Sequence, residues 1–345
     1  MNFYEQENNK TVLKTREIIR ELPEFCNEFF LDLNQNTLPK TRMGYAYDLR
    51  VFFNFLVTEN KEFLGRDIKS LTLDDLQKIK VVDINQFMDY LAYYVSEEDS
   101  QLYSNGENGK ARKLAAVRKL FKYFYRTEKI SSNPAELTIT PKRHEKEIVR
   151  LEPNEMLDVI ENGSKMTSKQ KEYYEKTKIR DLAIVTLLLG TGLRVSECVG
   201  LDIDDVDFDV NGVRVLRKGS KEMIVYFGEE VEIALKDYLV QRKAIETAPE
   251  YEKALFLSMQ KKRIGVRTVE KLVKKYASQV TTLKKISPHK LRSTYGTTLY
   301  RETGDIYLVA DVLGHSDVNT TKKHYAQQSD DNRRRAARIV KLREE

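Results

Sequence analysis

Two prolines within eight residues constrain this chain more than any other feature. Pro134 and Pro141 lie in residues 128–146, beside Ser131-Ser132-Asn133 and scattered charges. Proline lacks the amide N–H and its ring clashes with the preceding turn, so a continuous helix is blocked here. The segment reads as an exposed connection, with a domain boundary near residue 145. A length of 345 residues fits this division, since domains usually hold about 100–200 residues.

Upstream, the apolar pattern has a helical period. In residues 40–56, Tyr45, Leu49, Phe52, Phe53 and Leu56 recur at spacings of three and four, giving one buried stripe. Residues 82–94 and 113–125 repeat the pattern. Four or five helices are expected over residues 23–127, joined by polar loops such as 100–108. Together they make an all-helical first domain. Residues 1–22 read as a short polar arm or helix.

Downstream, residues 148–328 read as a mixed second domain. A helix is expected over 153–162. Residues 163–178 form either a loop or a helix extension. The apolar run 180–189 predicts a helix ending at Gly190-Thr191-Gly192, with a new helix starting near Ser196. Residues 205–209, 213–217 and 223–227 carry strand-forming patterns. Asn211-Gly212 between the first two is a two-residue hairpin signal. Lys218 to Lys221 make the second turn. The expected fold class is therefore mainly α: a helical first domain, then a mixed α+β domain with a small antiparallel three-stranded sheet. Residues 329–345 predict a basic helix.

Several function classes fall away. Hydrophobic residues at 41% and charged residues at 32% describe a soluble globular chain. The longest apolar stretch, 182–189, is far shorter than the ~20 residues that span a bilayer. Residues 1–10 are polar, so a cytoplasmic location without a membrane partner is expected. Cys26 and Cys198 form no cluster, which suggests neither a disulfide framework nor a metal site. No glycine-rich phosphate loop is present. An enzyme built on this chain is expected to work without a cofactor, by side chains alone.

The net charge of +6 says less than its distribution. Residues 261–301 hold twelve Lys/Arg against the single acid Glu270, and residues 110–126 hold seven against none. Phe121, Tyr123, Phe124 and Tyr125 are interleaved with the second group. Two basic patches in different halves of the chain suit a protein that grips a polyanion from two sides. Candidate nucleic-acid contacts are Lys40, Arg42, Lys110, Arg112, Lys113, Arg118, Lys119, Lys122, Lys261, Lys262, Arg263, Arg267 and Lys271.

Three of the four histidines, His289, His315 and His324, lie in the last 57 residues. His289 and Arg292 share one face if a helix starts at Pro288. His315 follows Gly314 at an expected turn, and Tyr325 stands ten residues later. Arg194 sits where the GTG turn enters a helix.

These segments resemble the tyrosine recombinase family, whose members include the Xer, Cre and phage integrase proteins. GTGLRVSECVGL (190–201) is similar to the first arginine box and HKLRSTYGT (289–297) to the His-x-x-Arg box. LGHSDVNTT (313–321) with Tyr325 is similar to the third box and nucleophile, and LRKGSKE (216–222) to the hairpin-turn lysine segment. In the first domain, TRMGYAYDLRVFFNFL, ARKLAAVRKLFKYFYR and NPAE resemble the helical core-binding domain. The likeness covers roughly residues 25–330.

The resemblance implies a catalytic set of Arg194, Lys218, His289, Arg292, His315 and the nucleophile Tyr325, with Glu197 orienting Arg194 or Lys218. It implies site-specific recombination through a 3′-phosphotyrosyl link, on double-stranded DNA with an inverted-repeat core site. It also implies a tetramer on two DNA sites, with the last helix docking on a neighbouring protomer. The residue types suit that chemistry. Phosphodiester cleavage needs a nucleophile, positive charge at the non-bridging oxygens and a proton for the leaving oxygen. Arginine forks match phosphate oxygens and stay charged without a metal. Lys221 is the alternative to Lys218, because both lie in the turn. The tyrosine stands one residue further from the third-box histidine than the family's usual nine, and a looser turn before the tyrosine helix is expected to take this up. The rival readings are a type IB topoisomerase, which reseals the same strand, and a non-catalytic DNA-binding regulator of the same fold.

Overall fold

The computed structural model describes residues 3–95, 100–141, 153–162, 168–217, 221–280, 286–315 and 317–325. The chain forms two compact units, residues 1–146 and 147–345.

The first unit is built on α1 (Phe3–Ile19), α2 (Cys26–Asn36), α3 (Pro39–Glu59), α4 (Leu73–Lys78), α5 (Val81–Tyr90), α6 (Glu107–Arg126) and α7 (Pro134–Leu137). Pro39 opens α3 at its first turn, where a missing N–H costs nothing. The α3 stripe of Leu49, Phe52, Phe53 and Leu56 is fully buried. It meets Phe87 of α5 and Phe121 of α6 in edge-on ring contacts. Helix α1 packs along α3 and buries Thr11, Thr15 and Ile18.

Two expectations need correction here. The first unit is not all helical. Strands β1 (Tyr94–Val95) and β2 (Leu102–Tyr103) pair antiparallel, with Tyr94 opposite Tyr103. Rings of Tyr90, Tyr94 and Tyr103 stack successively at 5.0 and 5.7 Å, so aromatic cross-strand packing holds a ribbon too short to persist on its backbone bonds alone. Nor is residues 128–141 a wholly exposed connection. Ile130, Ala135 and Thr138 are buried. Arg118 of α6 donates from Nε to the Ala135 carbonyl (3.0 Å), from Nη2 to the Thr138 carbonyl and from Nη1 to Thr140 Oγ1 (2.6 Å). Pro134 therefore starts a short helix pinned to the first unit instead of a free tether.

The second unit contains α8 (Pro153–Asn162), α9 (Ser168–Thr191), α10 (Val195–Gly200), α11 (Glu229–Lys243), α12 (Val266–Val280), α13 (Pro288–Thr303), α14 (Ile306–Leu313) and α15 (Val318–Tyr325). Helix α9 is central and packs against α8, α11 and α13. It absorbs residues 168–178, so that part of the charged stretch is a helix extension, while 163–167 lie outside the described residues. Strands β3 (Val206–Asp207), β4 (Gly212–Arg217) and β5 (Lys221–Tyr226) form one antiparallel sheet in the order β3-β4-β5.

The first hairpin differs from the two-residue turn expected at Asn211-Gly212. Asp207 pairs with Gly212, so four residues, 208–211, make the connection, and Gly212 belongs to β4. Asp207 Oδ1 accepts from the amides of Asp209 (2.9 Å) and Val210 (3.3 Å), which closes the wider loop. Asn211 still takes the left-handed conformation, φ 51°. Among the described residues, no helix is long and apolar enough to cross a membrane. The helix expected over 329–345 lies outside them.

Candidate active site

Three chain segments of the second unit meet at one point, and glycine geometry brings them there. The apolar helix α9 stops at Gly192, whose φ of 63° is left-handed. A methyl group there would sit 2.6 Å from Tyr295 Cδ1 and 2.9 Å from Leu313 Cδ2. Only glycine lets this turn lie against α13 and α14. The chain then re-enters a helix with Arg194 as the residue before α10. Glu197 in the first turn of α10 accepts from the Arg194 amide (2.8 Å) and from Arg194 Nη1 (2.7 Å). Glu197 is buried, so the carboxylate both caps the helix and fixes the guanidinium.

Helix α13 begins with Pro288 at its first position and ends at Gly304, φ 69°. Asp305 then caps α14, accepting from the amides of Tyr307 (2.8 Å) and Leu308 (3.1 Å). Helix α14 ends at Gly314, φ 61°. His289 and Arg292 lie one turn apart on α13. His289 is exposed, whereas Arg292 is 4% exposed and reaches inward. Arg292 donates from Nη1 to the Gly192 carbonyl (2.6 Å) and from Nη2 to the Leu313 carbonyl. Arg194 Nη2 donates to the next carbonyl, Gly314 (3.1 Å). Two guanidiniums from distant segments thus converge on consecutive carbonyls, immediately before His315. The His315 ring pairs through Nδ1 with Thr321 Oγ1 at 2.7 Å, and Thr321 is fully buried on α15.

Arg194, Arg292, His315 and Glu197 are therefore assembled, with His289 on the α13 turn that carries Arg292. Lys218 lies outside the described residues. Lys221 opens β5 and pairs in register with Arg217. Tyr325 is the final residue of α15. Residues 320–324, where the extra spacing falls, are helical and belong to α15, which starts at Val318.

The DNA-contact candidates divide. Lys40, Lys119, Lys122, Lys261, Lys262, Arg267 and Lys271 are exposed, and Lys110 is half-buried. Others are held by the protein. Lys113 is buried 3.5 Å from Asp48, and Arg112, itself still exposed, donates to the same carboxylate at 2.5 Å. Burial pushes the Asp48 carboxyl up and the Lys113 ammonium down from their ordinary values. Arg42 donates to the Asn34 (3.3 Å) and Thr37 (3.1 Å) carbonyls. Arg118 holds α7. Arg263 holds the Val199 (3.2 Å) and Leu201 (2.8 Å) carbonyls and pairs with Asp202. In these residues a charge run conceals internal struts, because sequence spacing alone does not show which cations find carbonyl or carboxylate partners.

Two further residues belong to the site. Thr321 supports His315, and its presence in the LGHSDVNTT segment is the signal that marks it. Arg217 lies against the end of α14, and its signal is its place directly before Lys218.

Residues 149–332 match the phage integrase family. The chain is 37% identical over 313 residues to the tyrosine recombinase XerC of Caldanaerobacter subterraneus subsp. tengcongensis, covering 87% of this chain and 81% of that protein. The XerC of Pelobacter propionicus is 32% identical over 295 residues, 85% of this chain and 87% of that one. The fold is similar to that of the Tn1549 transposon integrase in complex with circular intermediate DNA, with a TM-score of 0.64 and 20% identity over 92% of this chain and 99% of that one. It is also similar to the XerH site-specific recombinase bound to palindromic difH substrate, with a TM-score of 0.64 and 19% identity over 86% of this chain and 80% of that one. A family match across more than half of its length, together with curated relatives above 30% identity along most of it, makes the chain a member of the phage integrase family and a tyrosine-type site-specific DNA recombinase.

Proposed function

We propose that this recombinase works in the cytoplasm on an inverted-repeat core site, as a tetramer across two duplexes, with Tyr325 as its nucleophile. The observation that carries the reading is the convergence of Arg194 and Arg292 on the consecutive carbonyls of Leu313 and Gly314, beside His315. Two guanidiniums fixed at one point make a preformed seat for the two non-bridging oxygens of a phosphodiester, and a preorganised seat stabilises charge without reorganisation during reaction. The XerH relative was solved on a palindromic substrate, which supports an inverted repeat here.

Tyr325 Oη attacks phosphorus and its proton passes to His289. The new P–O bond leaves the DNA 3′-linked to the tyrosine. The P–O5′ bond breaks, and Lys218 protonates the departing oxygen. Arg194, Arg292 and His315 hold the phosphate, and Glu197 keeps Arg194 in place. The link retains the phosphodiester's free energy, so a 5′-hydroxyl from another strand reverses the step without ATP. Residues 329–345 would dock on a neighbouring protomer.

Covalent trapping tests this. The protein is mixed with sheared genomic DNA, quenched in detergent, and the DNA that stays bound is sequenced beside a Tyr325→Phe control. A Tyr325-dependent adduct at one recurring inverted repeat is expected. An adduct that survives in Tyr325→Phe would overturn the nucleophile assignment. Relaxation of plasmids without strand exchange would favour the topoisomerase reading.

A further inference from the structure

Arg217 has no role in the scheme above, yet it is a tightly held cation beside the site. Its side chain is 8% exposed. Nη2 donates to the Val312 carbonyl at 2.8 Å, and Nη1 reaches the Asp311 carbonyl at 3.4 Å. Both acceptors lie in the last turn of α14, where the helix dipole favours a cation; the Asp311 carbonyl also accepts the Gly314 amide at 2.8 Å. The guanidinium crosses the turn directly over Gly314. A methyl group there would lie 2.6 Å from Arg217 Cζ and 2.9 Å from its Cδ, so the absence of a side chain at 314 is what admits the arginine. On its other edge, Nε stands 3.9 Å from Glu197 Oε1, the same oxygen that accepts from Arg194. That is an ion-pair distance and too long for a hydrogen bond, so among the described residues Nε is buried without a hydrogen-bond partner.

The position of Arg217 in the chain gives this arrangement its meaning. It is the last residue of β4, and Lys218 is next along the backbone. Adjacent Cα atoms are about 3.8 Å apart, so whatever fixes Arg217 fixes the point from which Lys218 departs. Without the arginine, the sheet hairpin and the α14–α15 turn have no such strut between them among the described residues. We infer that Arg217 is a positioning residue that ties the start of the Lys218 turn to the end of α14 and to Glu197, setting where the leaving-group acid meets the phosphate.

This inference rests on the recombinase reading, and its test separates the two. Single-turnover cleavage is measured on a nicked suicide substrate, with either the ordinary 5′-bridging oxygen or a 5′-bridging sulfur at the scissile phosphate. A thiolate leaves without a proton, so the sulfur substrate no longer needs the acid. Arg217→Ala should slow cleavage of the oxygen substrate by about 10- to 100-fold, the scale of loss that a misplacement near 1 Å produces. On the sulfur substrate most of that loss should vanish. Arg217→Lys keeps the charge but reaches one carbonyl at a time, and should fall between wild type and Arg217→Ala on oxygen and near wild type on sulfur. It also serves if Arg217→Ala does not fold. Equal losses on both substrates, or no loss on oxygen, would overturn the positioning role. An inactive wild type on both substrates would instead overturn the recombinase reading.

Discussion

Replacing Gly314 by alanine should open the third-box turn, and the size of the effect follows from two terms. The first is conformational. At φ 61° an L-residue with a Cβ costs about 1–2 kcal/mol. The second is steric. The new methyl would overlap the Arg217 guanidinium, 2.6 Å from Cζ, so that group must retreat by roughly 1 Å. Retreat breaks the 2.8 Å bond from Nη2 to the Val312 carbonyl, a hydrogen bond from a charged group worth about 1.5–3 kcal/mol. The turn should lose about 2.5–5 kcal/mol of local stability. Native-state hydrogen exchange over residues 306–322 reads this directly, since the amides of Gly314 and His315 donate to the Asp311 (2.8 Å) and Ala310 (2.9 Å) carbonyls. A double-mutant cycle supplies the decisive comparison. In an Arg217→Ala background the obstacle is gone, and Gly314→Ala should cost only its conformational term. The two substitutions should therefore be non-additive by about 1.5–3 kcal/mol. Additivity within about 0.5 kcal/mol would refute the claim that the methyl and the guanidinium compete for one space.

Four other outcomes are expected. Thr321→Val removes the hydroxyl that orients His315 and should slow single-turnover cleavage by about 3- to 10-fold, with Thr321→Ser restoring the rate; an unchanged rate would dissociate the contact from catalysis. Asp75 bonds Arg66, the Thr72 amide and Lys78, which hold its carboxyl well below the usual range, chiefly through Arg66. A depressed carboxyl contributes above its unfolded value near 3.8 and loses that contribution as pH falls through the folded value. Asp75→Asn should thus cost about 1 kcal/mol in denaturant melts at pH 7 and progressively less below pH ~3.5. Burial raises both thiols, that of Cys198 to about 12, so neither cysteine should react with a thiol reagent at pH 8 until the chain is unfolded. Lys119→Glu with Lys122→Glu should weaken DNA binding and reduce the salt slope by about 2, whereas the same change at buried Lys113 should instead unfold the first unit.

The elements with a strong period were readable in advance. The α3 stripe announces its buried face because burial selects residues every third or fourth position, and the α9 run 183–189, buried on every side, reads as a continuous apolar segment. The boxes that carry the family likeness are readable as ordered motifs. What escaped were interactions whose partners are main-chain carbonyls. Arg118, Arg263 and Arg217 each satisfy acceptors that carry no sequence signature, and for Arg118 and Arg263 a run of cations looks like one outward surface. The four-residue loop at 208–211 was missed for a related reason. The Asp207 side chain closes it, and that competes with the two-residue turn that Asn-Gly favours. The ribbon at Tyr94 and Tyr103 depends on aromatic stacking across residues 94–103, which helical periodicity cannot register.

The bonds that gather the two arginines span long stretches of chain. Arg194 reaches a carbonyl 120 residues away, and Arg292 one 100 residues away. During synthesis the first unit is complete long before either bond can close, and Tyr325, the proposed nucleophile, emerges later still. A nascent or partly digested chain can therefore hold a folded first unit while lacking the means to nick anything. The ability to break a strand arrives last and, resting on closures of such length, should be the first property lost when the second unit loosens. For a DNA recombinase, a copy that ends before residue 313 lacks the carbonyls on which the two arginines converge.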